Sequence, residues 1–340
     1  QVIIVDIDER SIKELGQWPW ERNKFAQVLE NLTTYGAGII GLDIVFAEPD
    51  RSSPKRLAKQ WGVDSNNLPD YDQILAKSVA NTPTILGYVF DFDTKIHMDE
   101  APQIPAIFIE KNKKFGEFLP QAKGVLTNLD VIQDAAYSSG YFNNIPDATG
   151  IIRSVPLLIK YDDVVYSSLA FEMYRIASSV NKITTTYSEA GVENIQLGEQ
   201  SIASDRFGRI HLNFRGPFKS YKYISAADIF NKTASREDIE GKFVLIGTSA
   251  YGLMDLRSTP MDSVIAGVEL HANLIDILLH NDMLTLPPWS EILDLGMIVF
   301  TISIVLIVFS RFSLACIVVA VIASLPAIMY FNFYFIFTQH

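Results

Sequence analysis

The last fifty residues constrain this chain most. Ser313 to Phe337 is a run of 25 residues without one charged side chain. Ile292 to Phe309 is a further 18 residues with a single charge, Asp294. At about 1.5 Å of rise per residue, each run is long enough as a helix to cross a hydrocarbon core roughly 30 Å thick. The loop between them, Ser310–Arg311–Phe312, carries an arginine and no acid, whereas the opposite flank carries Asp282, Glu291 and Asp294. Trp289 and the Pro287–Pro288 break sit where an interface would fall. Positive charge favours the cytoplasmic side, which places Arg311 inside and residues 1–290 outside. The chain therefore divides into an extracytoplasmic domain, 1–288, and a membrane anchor, 289–340, with helices at about 292–309 and 313–337. Two spans return the chain to the outside, so a third helix beyond His340 is expected. Gln1 opens directly in a strand pattern, and both ends read as cut from a longer protein.

The chain as a whole is acidic, with 39 acidic against 28 basic side chains and a net charge of -11. The densest basic run, Lys111–Asn112–Lys113–Lys114, is short. Nucleic acid is not an expected partner, because phosphate binding needs a positive face. The one cysteine, Cys316, falls inside the apolar region, which excludes a disulfide scaffold or a cysteine metal site in the outer domain.

Four apolar runs, Val2–Asp8, Gly38–Phe46, Thr84–Phe90 and Lys242–Thr248, are nearly continuous in Val, Ile, Leu and Phe. Strands covered on both faces read this way. Between them lie helical stretches with one apolar face: Arg22–Tyr35, Tyr71–Ala80 and Val268–Leu279. Strand, helix and strand in succession imply crossovers and parallel pairing. Ile151–Tyr161 and Ile195–Phe214 are broken by Gly, Asp and Asn and read as hairpins, with a turn at Asp205–Gly208. Residues 51–70 read as a mobile loop. The expected fold is α/β: a mixed, largely parallel sheet flanked by helices, with an antiparallel insertion, followed by transmembrane helices.

Gly36, Gly38 and Gly41 match the spacing of a dinucleotide fingerprint but follow a helix and enter a strand, the reverse of what pyrophosphate binding needs. Ser249 follows a strand, and Asp255 and His271 come later, in the order of an α/β-hydrolase triad. Tyr251, however, stands where the tight nucleophile turn requires glycine. Acids cluster at or near strand ends: Asp6, Asp8, Asp43, Glu48 and Asp50. That edge of an open α/β sheet forms the ligand crevice, and grouped carboxylates can hold Mg²⁺ or Ca²⁺. Each acid taken alone reads equally as a helix cap or as the partner of Arg22, Arg51 or Arg153. Trp18–Pro19–Trp20 places two aromatic rings beside these acids, either covering the sheet edge or stacking on a ligand. The five histidines show no zinc spacing.

Six separated blocks, in order, resemble the CHASE2 family of bacterial extracellular sensor domains. They are Val2–Arg22 (VIIVDIDERSIKELGQWPWER), Gly38–Pro54 (GIIGLDIVFAEPDRSSP), Gly150–Pro156 (GIIRSVP), Ile210–Pro217 (IHLNFRGP), Gly241–Ser249 (GKFVLIGTS) and Gly267–Leu274 (GVELHANL). The resemblance implies a periplasmic or extracellular input domain anchored in the bacterial inner membrane by one N-terminal and three C-terminal helices. It implies a cytoplasmic output such as a class III adenylate or guanylate cyclase or a sensor kinase. The family brings no agreed ligand or catalytic residues. The expectation is a non-enzymatic sensor acting as a homodimer on a small-molecule or protein signal, without a cofactor. Its crevice is expected to draw on Asp8, Trp20, Arg22, Asp43, Glu48, Asp50, Arg153, Arg215, Thr248, Ser249 and His271. The rival is a membrane-tethered extracytoplasmic hydrolase using Ser249 or a carboxylate-held metal.

Overall fold

The structure is a computed structural model, and it describes residues 1–93, 101–250, 256–284, 290–311, 313, 322–326 and 328–330. It separates into two compact units, Gln1–Thr285 and Leu286–His340.

The first unit is built on a central sheet of seven strands: β1 Val2–Ile7, β2 Ile39–Leu42, β3 Thr84–Asp91, β4 Gly124–Leu126, β5 Ser138–Tyr141, β6 Lys222–Ser225 and β7 Phe243–Thr248. The spatial order is β6-β1-β7-β2-β3-β5, and every neighbouring pair in it is parallel. β4 pairs antiparallel with the second half of β3. The apolar runs are continuous because both faces are covered. Along β1, Ile3, Val5 and Ile7 enter one core with Phe25, Val28, Leu29 and Leu32, while Val2 and Ile4 enter the opposite core. Successive side chains of a strand point to opposite faces, so an unbroken run of Val and Ile serves two cores at once.

The first face carries α1 Glu9–Leu15, α2 Arg22–Thr34 and α3 Tyr71–Ala80. The second carries α4 Leu169–Ala177 and α5 Gly267–His280. In α5, Leu270, Leu274, Ile277 and Leu278 repeat at helical spacing and are all buried. Residues 51–70, read above as a loop, contain a short helix, Pro54–Gln60. The glycines of the 36–41 segment follow α2 and enter β2, where a side chain on Gly38 would meet the backbone of Gly241 at 3.1 Å. Close strand packing, and no phosphate cradle, accounts for them.

A second sheet of four strands, 107–111, 182–188, 191–197 and 200–202, forms the insertion. Its last three strands run antiparallel, and 107–111 joins 182–188 in parallel. Two small antiparallel pairs, 158–161 with 164–167 and 154–156 with 209–211, complete it. The Asp205–Gly208 turn closes as read, with the Asp205 carboxylate accepting from the amides of Phe207 and Arg209.

The second unit contains α6, Ser290–Arg311. Its segment Ile292–Arg311 has a mean hydropathy of 2.7 over 20 residues, and none of it is buried. An apolar surface of that length left open on all sides has the dimensions and composition of a membrane span. Most of the expected second span, 313–337, lies outside the described residues.

Candidate functional site

The C-terminal ends of β1, β7, β2 and β5 open on one side of the sheet, so the residues that follow them face a common space. β2 is shorter than its apolar run suggests. It stops at Leu42, after which the Asp43 amide still donates to Ile246 O at 2.9 Å. Residues 43–47 then leave the ladder and form a wall of a cleft of about 650 Å³. Ile7, Ile44, Phe46, Phe142 and Trp18 give the cleft apolar surface. Arg22, Asp43, Glu48, Asn144, Thr248 and Arg257 supply its polar groups. An apolar recess with a few polar groups is the usual form of a small-molecule site.

Asp43 and His271 meet at the base. The His271 Nε2 lies 3.9 Å from a carboxylate oxygen of Asp43, and each side chain is 4% exposed. Burial pushes the His271 imidazole down to about 4, and the charge of Arg257 pushes in the same direction, so the ring is neutral near pH 7. The Phe142 backbone accepts a hydrogen bond from the ring and offsets this in part. Nε2 has no hydrogen-bond partner among the described residues, so the nitrogen bonded to Phe142 is Nδ1, which carries the proton. Nε2 therefore faces Asp43 as a bare acceptor. The Asn144 Oδ1, on the same cleft, is likewise buried without a partner among the described residues. So is the Arg22 Nε, and because buried polar atoms are normally satisfied, a donor and an acceptor left over in one lining mark a place where a further group belongs.

Arg22, in the first turn of α2, closes the cleft on another side. Its guanidinium stacks over Phe46 at 4.4 Å, donates to Glu48 O at 3.3 Å and lies 3.8 Å from Asp72. A second recess of about 620 Å³ shares Trp18, Pro19, Arg22 and Glu48 with the cleft and adds Trp20, Asp50, Arg51 and Arg56.

The structure divides the expected crevice residues. Arg22, Asp43, Glu48 and Thr248 line the cleft, and His271 stands behind Asp43. The others have structural partners. Asp8 caps α1 by accepting from the Ser11 amide at 2.7 Å, and it accepts from Ser225 Oγ at 2.9 Å. Trp20 is buried, donates to Gly16 O and packs edge-on to Trp18. Asp50 accepts from the Arg22 amide at 2.7 Å, supplying the cap that the α2 N-terminal residue Glu21 lacks. Arg153 binds Asp147 at the surface, and Arg215 binds Asp276 and Asp282 toward the end of α5. Asp50→Ala is expected to cost about 1–2 kcal/mol in urea unfolding, the worth of a buried helix cap, and to leave ligand binding in the neighbouring cleft intact.

Ser249 is held in place. Its amide and hydroxyl both donate to the Asp6 carboxylate, at 2.9 and 2.6 Å. Among the described residues no imidazole serves it as a base, and His271 faces Asp43 instead. Tyr251, Gly252 and Asp255 of the hydrolase pattern lie outside the described residues. Among the described residues, no three His, Cys, Asp or Glu side chains gather as a metal ligand set. Asp6, which the sequence marks only as one acid among several, is buried, and its carboxyl is pushed up to about 6, chiefly by that burial.

An α/β domain with a polar-based cleft at its strand ends, in a chain that also carries a bare apolar helix of spanning length, has the makings of a membrane receptor's sensory module. The CHASE2 domain model matches residues 1–308. The chain belongs to the CHASE2 family, whose members are extracellular sensory domains of membrane receptors and are not catalytic. No curated protein and no solved structure matches it.

Proposed function

We propose that residues 1–288 are the extracytoplasmic input domain of a bacterial transmembrane receptor and that the Asp43–His271 cleft is where the signal binds. The observation that carries this reading is a cleft on the C-terminal edge of the sheet whose lining includes Asn144 Oδ1 and Arg22 Nε, each buried without a hydrogen-bond partner among the described residues. Open α/β sheets bind ligands at that edge. Occupation favours one of two arrangements of a homodimer, and the apolar helices, at about 292–309 and 313–337, pass the difference to a cytoplasmic cyclase or kinase. The shift in output is limited by the ligand's differential affinity for the two arrangements.

Thermal unfolding of the purified chain against neutral, anionic and cationic small metabolites tests the site. A ligand at about 100 times its Kd adds roughly 2.7 kcal/mol and raises the midpoint by several degrees. We expect such a shift in at least one class, and its loss in Asp43→Asn. No shift with any compound would point to a dimerisation module or a protein signal and remove the cleft from consideration.

A further inference from the structure

Nearly every arginine of the first unit has a partner. Arg10, Arg153, Arg175, Arg215 and Arg236 sit in ion pairs, and Arg206 and Arg209 lie over aromatic rings. Arg51 and Arg56 are the exceptions. Neither has an ion pair, hydrogen bond or ring contact among the described residues, and both line the second recess, of about 620 Å³. That recess lies where the connection between α1 and α2, residues 16–21, meets the segment 48–56. Its acids are mostly occupied. Asp50 accepts from the Arg22 amide and from the Ser52 amide and hydroxyl, at 2.7, 2.7 and 2.5 Å, and Glu21 lies 3.6 Å from Lys24. Glu48, which is exposed, is the one lining carboxylate without a hydrogen bond or ion pair among the described residues. The recess thus sets two unpaired guanidiniums against one unpaired carboxylate, in a chain whose net charge is -11. Arg22 belongs to the same lining, and its buried Nε also lacks a hydrogen-bond partner among the described residues. Burial pushes its guanidinium below the ordinary value, Asp50 and Asp72 oppose this, and the charge of Arg51 adds to it.

We propose that this recess binds a small organic anion, with its carboxylate or phosphate group held by Arg51 and Arg56. A guanidinium carries its donors in a planar fork that matches two oxygens of either group, and it has no acceptor of its own. One exposed ion pair is worth little in water, so affinity depends on both arginines acting on the same group. A negative charge there also offsets the repulsion between Arg51 and the buried Arg22. A cationic ligand would meet two unpaired arginines and find Glu48 alone to answer it. A neutral one would gain nothing from either charge. The half-buried Trp18 ring packs edge-on against Trp20 and Phe25, at 5.4 and 6.3 Å, and gives the lining a fixed apolar face. Pro19 and Pro49 extend that surface. The ligand is therefore one with a short apolar or planar body beside its anionic end. Arg51 and Arg56 do not line the cleft assigned above to the signal, so this inference stands apart from that reading.

The test is isothermal titration of the full chain in phosphatidylcholine nanodiscs. The probes are aliphatic and aromatic carboxylic acids and phosphate monoesters, with the amides, alcohols and amines of the same carbon frames. Saturable binding confined to the anions is expected, weakened at least tenfold by Arg51→Gln and by Arg56→Gln. Both arginines are exposed, so neither change threatens the fold. Lys59→Gln removes a positive charge from the same short helix, outside the recess, and is expected to change nothing, as is Asp43→Asn in the cleft. Phosphate esters binding at least tenfold tighter than carboxylates identify phosphate as the natural group, and the reverse ratio identifies carboxylate. Amides, alcohols or amines that bind as tightly as the anions would overturn the assignment. An equal loss in Lys59→Gln would overturn it too, because it would show a diffuse positive field and no site. Anions weakened by Asp43→Asn and not by the arginine changes would place the ligand in the cleft, sinking this inference and supporting the other reading. No saturable binding by any anion would overturn the recess alone and leave the cleft to its own test.

Discussion

Glu172→Gln is expected to lower the stability of the extracytoplasmic unit by about 3–5 kcal/mol, the cost of leaving a buried charge without its partner. Glu172 and Arg175 lie one turn apart on α4 with 0% and 1% of their side chains exposed. Arg175 grips the carboxylate through two nitrogens, at 2.6 and 2.8 Å, and the same carboxylate accepts from Ser138 Oγ and Ser167 Oγ. A third nitrogen donates to Val180 O at 2.8 Å. The pair therefore ties β5 of the central sheet, the 164–167 strand, α4 and the start of the insertion sheet to one point. Glutamine keeps the shape but removes the charge and turns an amide NH₂ toward a guanidinium that only donates. Urea unfolding of the variant measures the loss. The double change Glu172→Leu with Arg175→Met is expected to recover most of it, because a buried ion pair is costly to break and often cheap to replace whole. A single-variant loss under about 1 kcal/mol would show the pair to be hydrated and the network unimportant.

The second large effect is hidden in the wild type by cancellation. His271 is held at about 4, below its ordinary 6.5, so the unfolded chain binds the extra proton between those values and its contribution to stability rises with pH. Asp6 is raised from 3.8 to about 6, so here the native state binds the extra proton and its contribution falls as pH rises through the same interval. Each slope is about 1.4 kcal/mol per pH unit, with opposite signs, and each amounts to roughly 3 kcal/mol across its window. Stability from these two groups is therefore nearly level between about pH 4 and 6. Asp6→Asn preserves an acceptor for the Ser249 amide and removes the falling limb. Its stability relative to wild type is expected to climb by roughly 3 kcal/mol from pH 4 to 7. His271→Asn removes the rising limb, and its stability relative to wild type is expected to fall by a similar amount over that range. Denaturation midpoints of the three proteins in steps of half a pH unit check both signs, and parallel profiles would sink the account.

Much of the frame was legible because it is locally encoded. The runs at Val2–Asp8 and Lys242–Thr248 are β1 and β7, and the apolar faces of Arg22–Tyr35, Tyr71–Ala80 and Val268–Leu279 are those of α2, α3 and α5 within a residue at either end. The Glu172–Arg175 pair was not legible. The same residues one turn apart are common on solvated helix faces, and only the packing of Ser138 and Ser167 over α4 takes them out of water. The candidate site was legible in part for the same reason. An acid at a strand end can be a ligand group or a cap, and which it becomes depends on what the chain brings opposite it. The Ser11 and Arg22 amides make caps of Asp8 and Asp50.

What the sequence determined by itself is therefore four strands of the central sheet, three of its helices, the apolar C-terminal runs and the clustering of acids at strand ends, since periodicity, length and charge are properties of neighbouring residues. Tertiary structure alone decided the strand order, which seats β7 between β1 and β2, and the early exit of β2 at Leu42. It also placed the imidazole of His271 behind Asp43 and left its Nε2 without a hydrogen-bond partner among the described residues. Those outcomes depend on burial and on contacts between segments far apart in the chain, and the balance of desolvation against partnership that sets them exists only once the layers have closed.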